Sequence, residues 1–287
     1  MPSRALLALL AVSGLFALSG ASCPRVIEQY RAPTPRVLSE QPALAEVTEL
    51  INQNSRRVGS LYSTQARLTG PGLPTLRASV AMERPQRIRL RAETALTGPE
   101  VDLGSNDEQF WLWVARNQPP AVLVCRHDEF AGSPAAQALP VDASWLIEAI
   151  GLPTFEPHEH HEGPSPAGQG RLEICTRRAT ANGLIQRVVL VDAAQGWVLE
   201  QHLYDATGRL LASAISRQHR RDPLYDVVLP RQVDIQWPSA QLSLRLHLDD
   251  VQLNYLGGDP AQLWAKPVYP GWPELDLARP PQISAVR

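Results

Sequence analysis

The sequence predicts a mainly β chain with a few helices, an α+β fold built on one antiparallel sheet, and three observations predict it. First, residues 171–178, 184–192, 197–205, 209–217, 224–237 and 241–253 are runs rich in Leu, Val, Ile and Trp. Turn-forming pairs part them: Asn182-Gly183, Gln195-Gly196, Thr207-Gly208, Asp222-Pro223 and Pro238-Ser239. Runs at roughly ten-residue spacing with such turns make a meander rather than βαβ units. Second, in 241–249 Leu242, Leu244, Leu246 and Leu248 fall on one side, and Ser243, Arg245, His247 and Asp249 on the other. One dry and one wet face is the pattern of an antiparallel sheet covered on one side. Third, one segment elsewhere has helical periodicity and an apolar stripe that needs a sheet to lie on, and another reads as a short, largely apolar helix. What covers the dry face is therefore the functional question.

Taken in order, residues 1–22 read as an export signal. Arg4 supplies the positive start, and residues 5–18 form an apolar core too short to span a membrane as a mature helix. Small residues lead into a cysteine, Leu18-Ser19-Gly20-Ala21-Ser22-Cys23, which resembles a bacterial lipoprotein signal. Lipidation of Cys23 and anchoring to a membrane are the expectation; an ordinary secretory signal cut near Ala21 is the alternative. Either way the protein is placed in the cell envelope, facing the periplasm. Residues 23–41, with Pro33 and Pro35 and no periodic pattern, read as an extended tether. Residues 42–287 read as a single domain, since all-β folds of this length are often undivided.

In residues 42–58, Leu44, Val47, Leu50, Ile51 and Val58 recur at helical spacing, with Pro42 in the first turn and Gly59 after the end. Strands follow, with Tyr62, Ala66 and Leu68, then Leu76, Ala78, Val80 and Met82, then Ile88, Leu90 and Ala92 opposite charged neighbours. The Arg-rich wet side reads as a solvated outer surface. A polar turn at 104–108 precedes a strand apolar on both faces, with Phe110, Leu112 and Val114 against Trp111 and Trp113. Residues 121–130 read as its partner strand. Residues 142–150 read as a second helix, capped by Asp142 and stopped by Gly151, and 153–170 as a loop.

The chain carries a net charge of −2, and its basic residues, nearly all Arg, are scattered along wet faces. A nucleic-acid groove needs them concentrated on one surface, so no nucleic-acid partner is expected. Export would expose Cys125 and Cys175 to an oxidising compartment, where two remaining thiols usually pair. They fall on the strands flanking the 142–150 helix, and a meander would make those strands neighbours. A disulfide between them is the expectation; two separate small hydrophobes are the alternative.

In organisation, residues 43–277 resemble the LolA/LolB-like bacterial periplasmic lipoprotein carriers and receptors and their lipid-binding lipoprotein relatives. The resemblance rests on the order signal, amphipathic helix, strands, a Gly-Ser-Asn-Asp-Glu-Gln-Phe-Trp-Leu-Trp turn-and-strand (104–113), a mid-chain helix and a long meander. The proline-rich close, Leu263-Trp264-Ala265-Lys266-Pro267 and Pro270-Gly271-Trp272-Pro273-Glu274-Leu275-Asp276-Leu277, adds to it. The resemblance implies a strongly curved, unclosed half-barrel sheet lidded by the two helices, with acyl chains of a lipid or lipoprotein held between. The cavity-lining candidates are Tyr62, Leu68, Val80, Met82, Ile88, Leu90, Phe110, Leu112, Leu242, Leu244, Leu246 and Leu248, all taken from the side opposite the charges. A pocket of this kind holds alkyl chains at ~0.8 kcal/mol per buried methylene. The bland alternative is a fully packed core.

One cluster, His158-Glu159-His160-His161-Glu162, has metal-ligand residue types. Zinc enzymes set two His one helical turn apart with a third ligand elsewhere, and here Pro and Gly flank a loop, so no metal, cofactor or catalytic residue is assigned. The expected function is a monomeric, non-enzymatic acyl-chain binder in envelope lipoprotein or lipid transport or sorting. A structural or envelope-assembly lipoprotein without lipid cargo is the alternative, and a metal-dependent hydrolase the least favoured reading.

Overall fold

Periodicity-two segments separated by glycines at positive φ build the molecule. The computed structural model describes residues 35–279 except 73, 132, 134–135, 137–142 and 181–182, so the signal, Cys23 and the Asp142 cap lie outside the described residues. Helix α1 (Leu44–Arg56) turns Val47, Ile51 and Ser55 inward, one face of a regular helix. Six strands follow: β1 (Ser60–Thr69), β2 (Leu76–Glu83), β3 (Arg87–Thr94), β4 (Gly98–Ser105), β5 (Gln109–Val114) and β6 (Val122–Arg126). Short helix α2 (His127–Phe130) and helix α3 (Ala143–Ala149) come next. The second run is β7 (His160–Pro166), β8 (Arg171–Thr180), β9 (Gly183–Asp192), β10 (Val198–Asp205) and β11 (Leu210–Arg217). A small hairpin of β12 (Arg220–Asp222) and β13 (Val227–Leu229) precedes β14 (Gln232–Trp237), β15 (Leu242–Asp249) and β16 (Gln252–Leu253). The chain closes with α4 (Pro260–Leu263) and β17 (Glu274–Asp276). Among the described residues no helix is long and apolar enough to cross a membrane.

Among the described residues, fifteen strands share one curved, unclosed sheet in the order β17-β6-β5-β4-β3-β2-β1-β15-β14-β11-β10-β9-β8-β7, with β16 beside β1. This is the half-barrel α+β architecture expected from the sequence. The long-range pairing of β1 with β15 joins its two meanders, setting Leu68 opposite Leu246 and Ala66 opposite Leu248. Helices α1 and α3 cover one face, here the inner one. Helix α1 lies over β8–β10, where Val47 and Ile51 bury against Leu172, Ile174, Val189 and Val191. Helix α3 lies at the centre, sending Ile147 into the cluster on β1, β2 and β15 and Trp145 into that on β11 and β14.

Several expectations are corrected. Residues 224–237 are not one strand: Pro230 has no N–H for a ladder, and β13 turns aside to pair with β12 while only β14 joins the main sheet. Residues 121–130 change from strand to helical turn after Arg126. The 153–170 loop contains edge strand β7, where Pro164 and Pro166 are tolerated because one side of an edge strand pairs with nothing. Strand β4 was hidden by its flanking Gly98-Pro99 and Gly104. Strand β17 runs parallel to β6, the exception in an otherwise antiparallel sheet.

The outer face is not uniformly solvated. The segment after β16 returns across β3–β6, stacking Tyr269 on Trp113 at 4.3 Å between ring centres and setting Trp272 edge-on to the same ring at 5.4 Å. Beneath it Trp111 is fully buried over Gly104, its cross-strand partner. A Cβ at Gly104 would lie 2.1 Å from the Trp111 ring. Gly104→Ala is therefore expected to lose roughly 1–3 kcal/mol or more by overpacking, read as a lower urea midpoint at unchanged slope. A variant as stable as the parent would show that the ring moves freely.

Candidate functional site

Register across the sheet decides where each predicted lining residue lies. Leu68, Val80, Met82, Leu246 and Leu248 share the inner face and are 0–5% exposed. They form one cluster with Ile147, Ile150 and Leu152 from α3 and its exit, Val58 after α1, and Val227 and Leu229 of the hairpin. Side chains bounding a space wide enough for an alkyl chain keep accessible surface, so these five pack against protein. Leu90 and Leu244 are half-buried at the cluster's edge, and Ile88 is buried beside Met82 on the next strand. Leu242, at the start of β15, is exposed.

Tyr62 lies on the opposite face. The register between β1 and β2 shifts between Ser63 and Ala66, so the inner residues are Leu61 before the bulge and Ala66 and Leu68 after it. A β-bulge inverts the alternation that a sequence pattern assumes to be continuous. The Tyr62 ring instead packs over Gly257 and meets Tyr255 edge-on at 6.4 Å.

Farther along the inner face the packing loosens. Leu90 pairs with Leu103, Leu103 with Leu112, and Leu112 with Leu123, a row of four leucines across β3–β6, each half-buried. Val101 and Val114 form a further half-buried cross-strand pair, and Phe110, on the same face, meets Phe130 edge-on at 5.1 Å. Leu90, Phe110 and Leu112 are among the lining candidates named from the sequence; Leu103, Leu123 and Val101 are not. The alternation of Val101 and Leu103 with Glu100 and Asp102 was the available signal.

Polar contacts fasten the lid over the packed part. Arg187 of β9 points inward, only 5% exposed, and donates to Glu148 of α3 at 2.7 Å and to the Thr154 carbonyl at 2.7 Å. Its guanidinium lies 4.9 Å from the Phe155 ring centre. Gln201 donates to the Glu148 carbonyl at 2.6 Å, and Arg84 to that of Leu152 at 2.8 Å. Burial lowers the Arg84 pKa, with the nearby Glu148 opposing the shift. From α1, Asn52 exchanges two hydrogen bonds with the Phe155 backbone, and Ser55 donates to the Pro153 carbonyl.

The remaining candidates separate. Cys125 lies on β6, toward one end of the sheet, and Cys175 on β8, toward the other; both thiols are free, which corrects the expected disulfide. Each meander pairs within itself, so strands flanking α3 in sequence are not neighbours in space. Burial raises both thiol pKa values. The histidine cluster is split by strand alternation. His160 faces outward to Glu162 at 3.2 Å, while His161 contacts Thr176 and the Glu156 carbonyl, both at 2.9 Å. Among the described residues no group of three or more His, Cys, Asp or Glu is placed to hold a metal ion.

No family model and no curated relative matches this chain. Among solved structures it is similar to a candidate outer membrane lipoprotein-sorting protein domain from Vibrio parahaemolyticus, at 13% identity and TM-score 0.50, covering 75% of this chain and 95% of that one. It is also similar to a LolA superfamily protein from Nitrosomonas europaea, at 10% identity and TM-score 0.47, covering 77% and 97%. The likeness to the first is one of fold, a curved, unclosed sheet with helices on its inner face.

Proposed function

We propose that this LolA-like chain is an exported, non-enzymatic protein, anchored through an acylated Cys23, that binds acyl chains of a lipid or lipoprotein in envelope transport or sorting. The observation that carries the reading is the half-buried inner-face row Leu90, Leu103, Leu112 and Leu123. Leucine surface left partly in water is a reservoir of binding energy, since covering it adds a part of the about 1.5–3 kcal/mol that full burial of an exposed leucine gains. An alkyl chain laid along the row would supply that burial. It would not enter the central cluster, which protein already fills. The anchor belongs to the same reading and predicts acyl chains on the N-terminal Cys23 peptide; a peptide of unmodified mass from the native membrane fraction would remove it.

The acyl-chain reading is tested by solvent extraction of the purified protein, where co-purified acyl lipid is expected. Leu112→Arg should cut that lipid at least tenfold while the protein still folds, because an arginine head at a half-buried site can reach water. Leu248→Arg, at a site 1% exposed, should instead prevent folding. Lipid retained in Leu112→Arg, or a Leu112→Arg that fails to fold, would mean that the row is packed or unused. A lipid-free parent protein would favour a structural envelope lipoprotein.

A further inference from the structure

The outer face carries a second concavity that the acyl-chain reading does not use. Between β2, β3 and the returning segment at residues 267–269 lies a groove of about 500 Å³. Arg77 and Arg91 stand over it, Thr64 and Ser79 supply hydroxyls, and Tyr269 forms part of the wall. Two carboxylates, Asp102 and Glu93, also line it. Their engagement decides its charge. Asp102 holds buried Arg89 at 2.6 Å and accepts from the Tyr269 hydroxyl at 2.6 Å, leaving Arg91 at 3.7 Å. Two guanidiniums thus share one carboxylate, and the surplus positive charge sits on Arg91, whose side chain is 55% exposed. Glu93 is 3.8 Å from Arg77, beyond hydrogen-bonding distance.

Geometry brings the two guanidinium heads together. Ser79 is the cross-strand partner of Arg91 and lies two residues from Arg77 on the same face of β2. Diagonal neighbours in such a ladder are about 7–8 Å apart at the backbone, within reach of one ligand for side chains as long as arginine. Guanidinium forks match phosphate oxygens. The volume exceeds that of a bare phosphate, and the hydroxyls of Thr64 and Ser79 suit a polyol. We propose that this groove binds a phosphorylated polyol of the glycerophosphate class, with Arg91 and Arg77 on the phosphate.

The test uses the whole protein with two probes: glycerol 3-phosphate in calorimetry, and vesicles of phosphatidylglycerol in phosphatidylcholine in flotation. Arg91→Gln should weaken binding at least about tenfold, the usual worth of one charge-assisted contact. The fold should be kept, because Asp102 retains Arg89 and Tyr269. Arg116→Gln, which removes an equally exposed arginine paired with Glu100 outside the groove, should change nothing. Loss for the soluble probe identifies a free polyol phosphate, and loss for vesicles alone identifies a lipid headgroup; both support the site. No binding of either probe by the parent protein, or equal losses in the two variants, overturns it.

Discussion

Asp102→Ala should cost about 3–5 kcal/mol of stability, the usual effect of leaving a buried charge without its partner. The Asp102 and Arg89 side chains are 4% and 2% exposed, and the pair is closed at 2.6 Å. Asp102 also accepts from Tyr269 at 2.6 Å and from the Trp111 indole at 3.4 Å, so one carboxylate ties the returning segment to the sheet. Arg89 reaches the Ala265 carbonyl at 2.7 Å as well, and its guanidinium lies 5.0 Å from the Trp111 ring centre. Burial pulls the Arg89 pKa down while Asp102 pushes it up, so removing the acid takes away the main favourable influence. The Tyr269 hydroxyl is held above its ordinary pKa by burial first and by Asp102 second. Urea unfolding with tryptophan fluorescence reads the effect. A loss below about 1 kcal/mol would show that water reaches Arg89 and that the pair behaves as a surface ion pair. Replacing both residues together, Asp102→Leu with Arg89→Met, should recover most of the loss, because no unpaired charge remains.

Arg187→Met should cost a similar ~3–5 kcal/mol, with a different spatial signature. The substitution leaves Glu148 of α3 without its guanidinium and frees the Thr154 carbonyl, two anchors of the lid. Hydrogen exchange should accelerate in residues 143–155 and stay slow in β14 and β15. The double substitution Arg187→Met with Glu148→Met should restore protection, as a methionine pair fills the space without charge. Uniform acceleration across the sheet would instead mean that Arg187 supports the core generally and does not hold the lid.

Both predictions rest on arginines whose strand patterns do not announce their role. In β3, Arg87, Arg89 and Arg91 alternate with Ile88, Leu90 and Ala92, and a solvated outer face is the natural reading. Arg89 is buried all the same, because a segment more than 170 residues later in the chain crosses over it. In β9 the alternation puts Arg187 in phase with Val189 and Val191 on the inner face, where the acid on α3 and the Thr154 carbonyl make it tolerable.

By itself the sequence determined the local pieces. The stripe of Val47 and Ile51 specifies α1, and the alternation of β2 and β15 puts Val80, Met82, Leu246 and Leu248 on one dry face. Gly196 and Gly208, at φ of 68° and 81°, mark turns between strands. These features depend on neighbours a few residues apart, and their physics is complete within one helical turn or one strand. Tertiary structure alone decided the rest: the bulge that turns Tyr62 outward, the strand order that parts Cys125 from Cys175, the half-open row from Leu90 to Leu123 and the groove under Tyr269. Each depends on which strand lies beside which and on what crosses above it. Partners such as Tyr269 and Asp102, 167 residues apart, leave no periodic trace in the chain. Their pairing arises only when the sheet has brought them together.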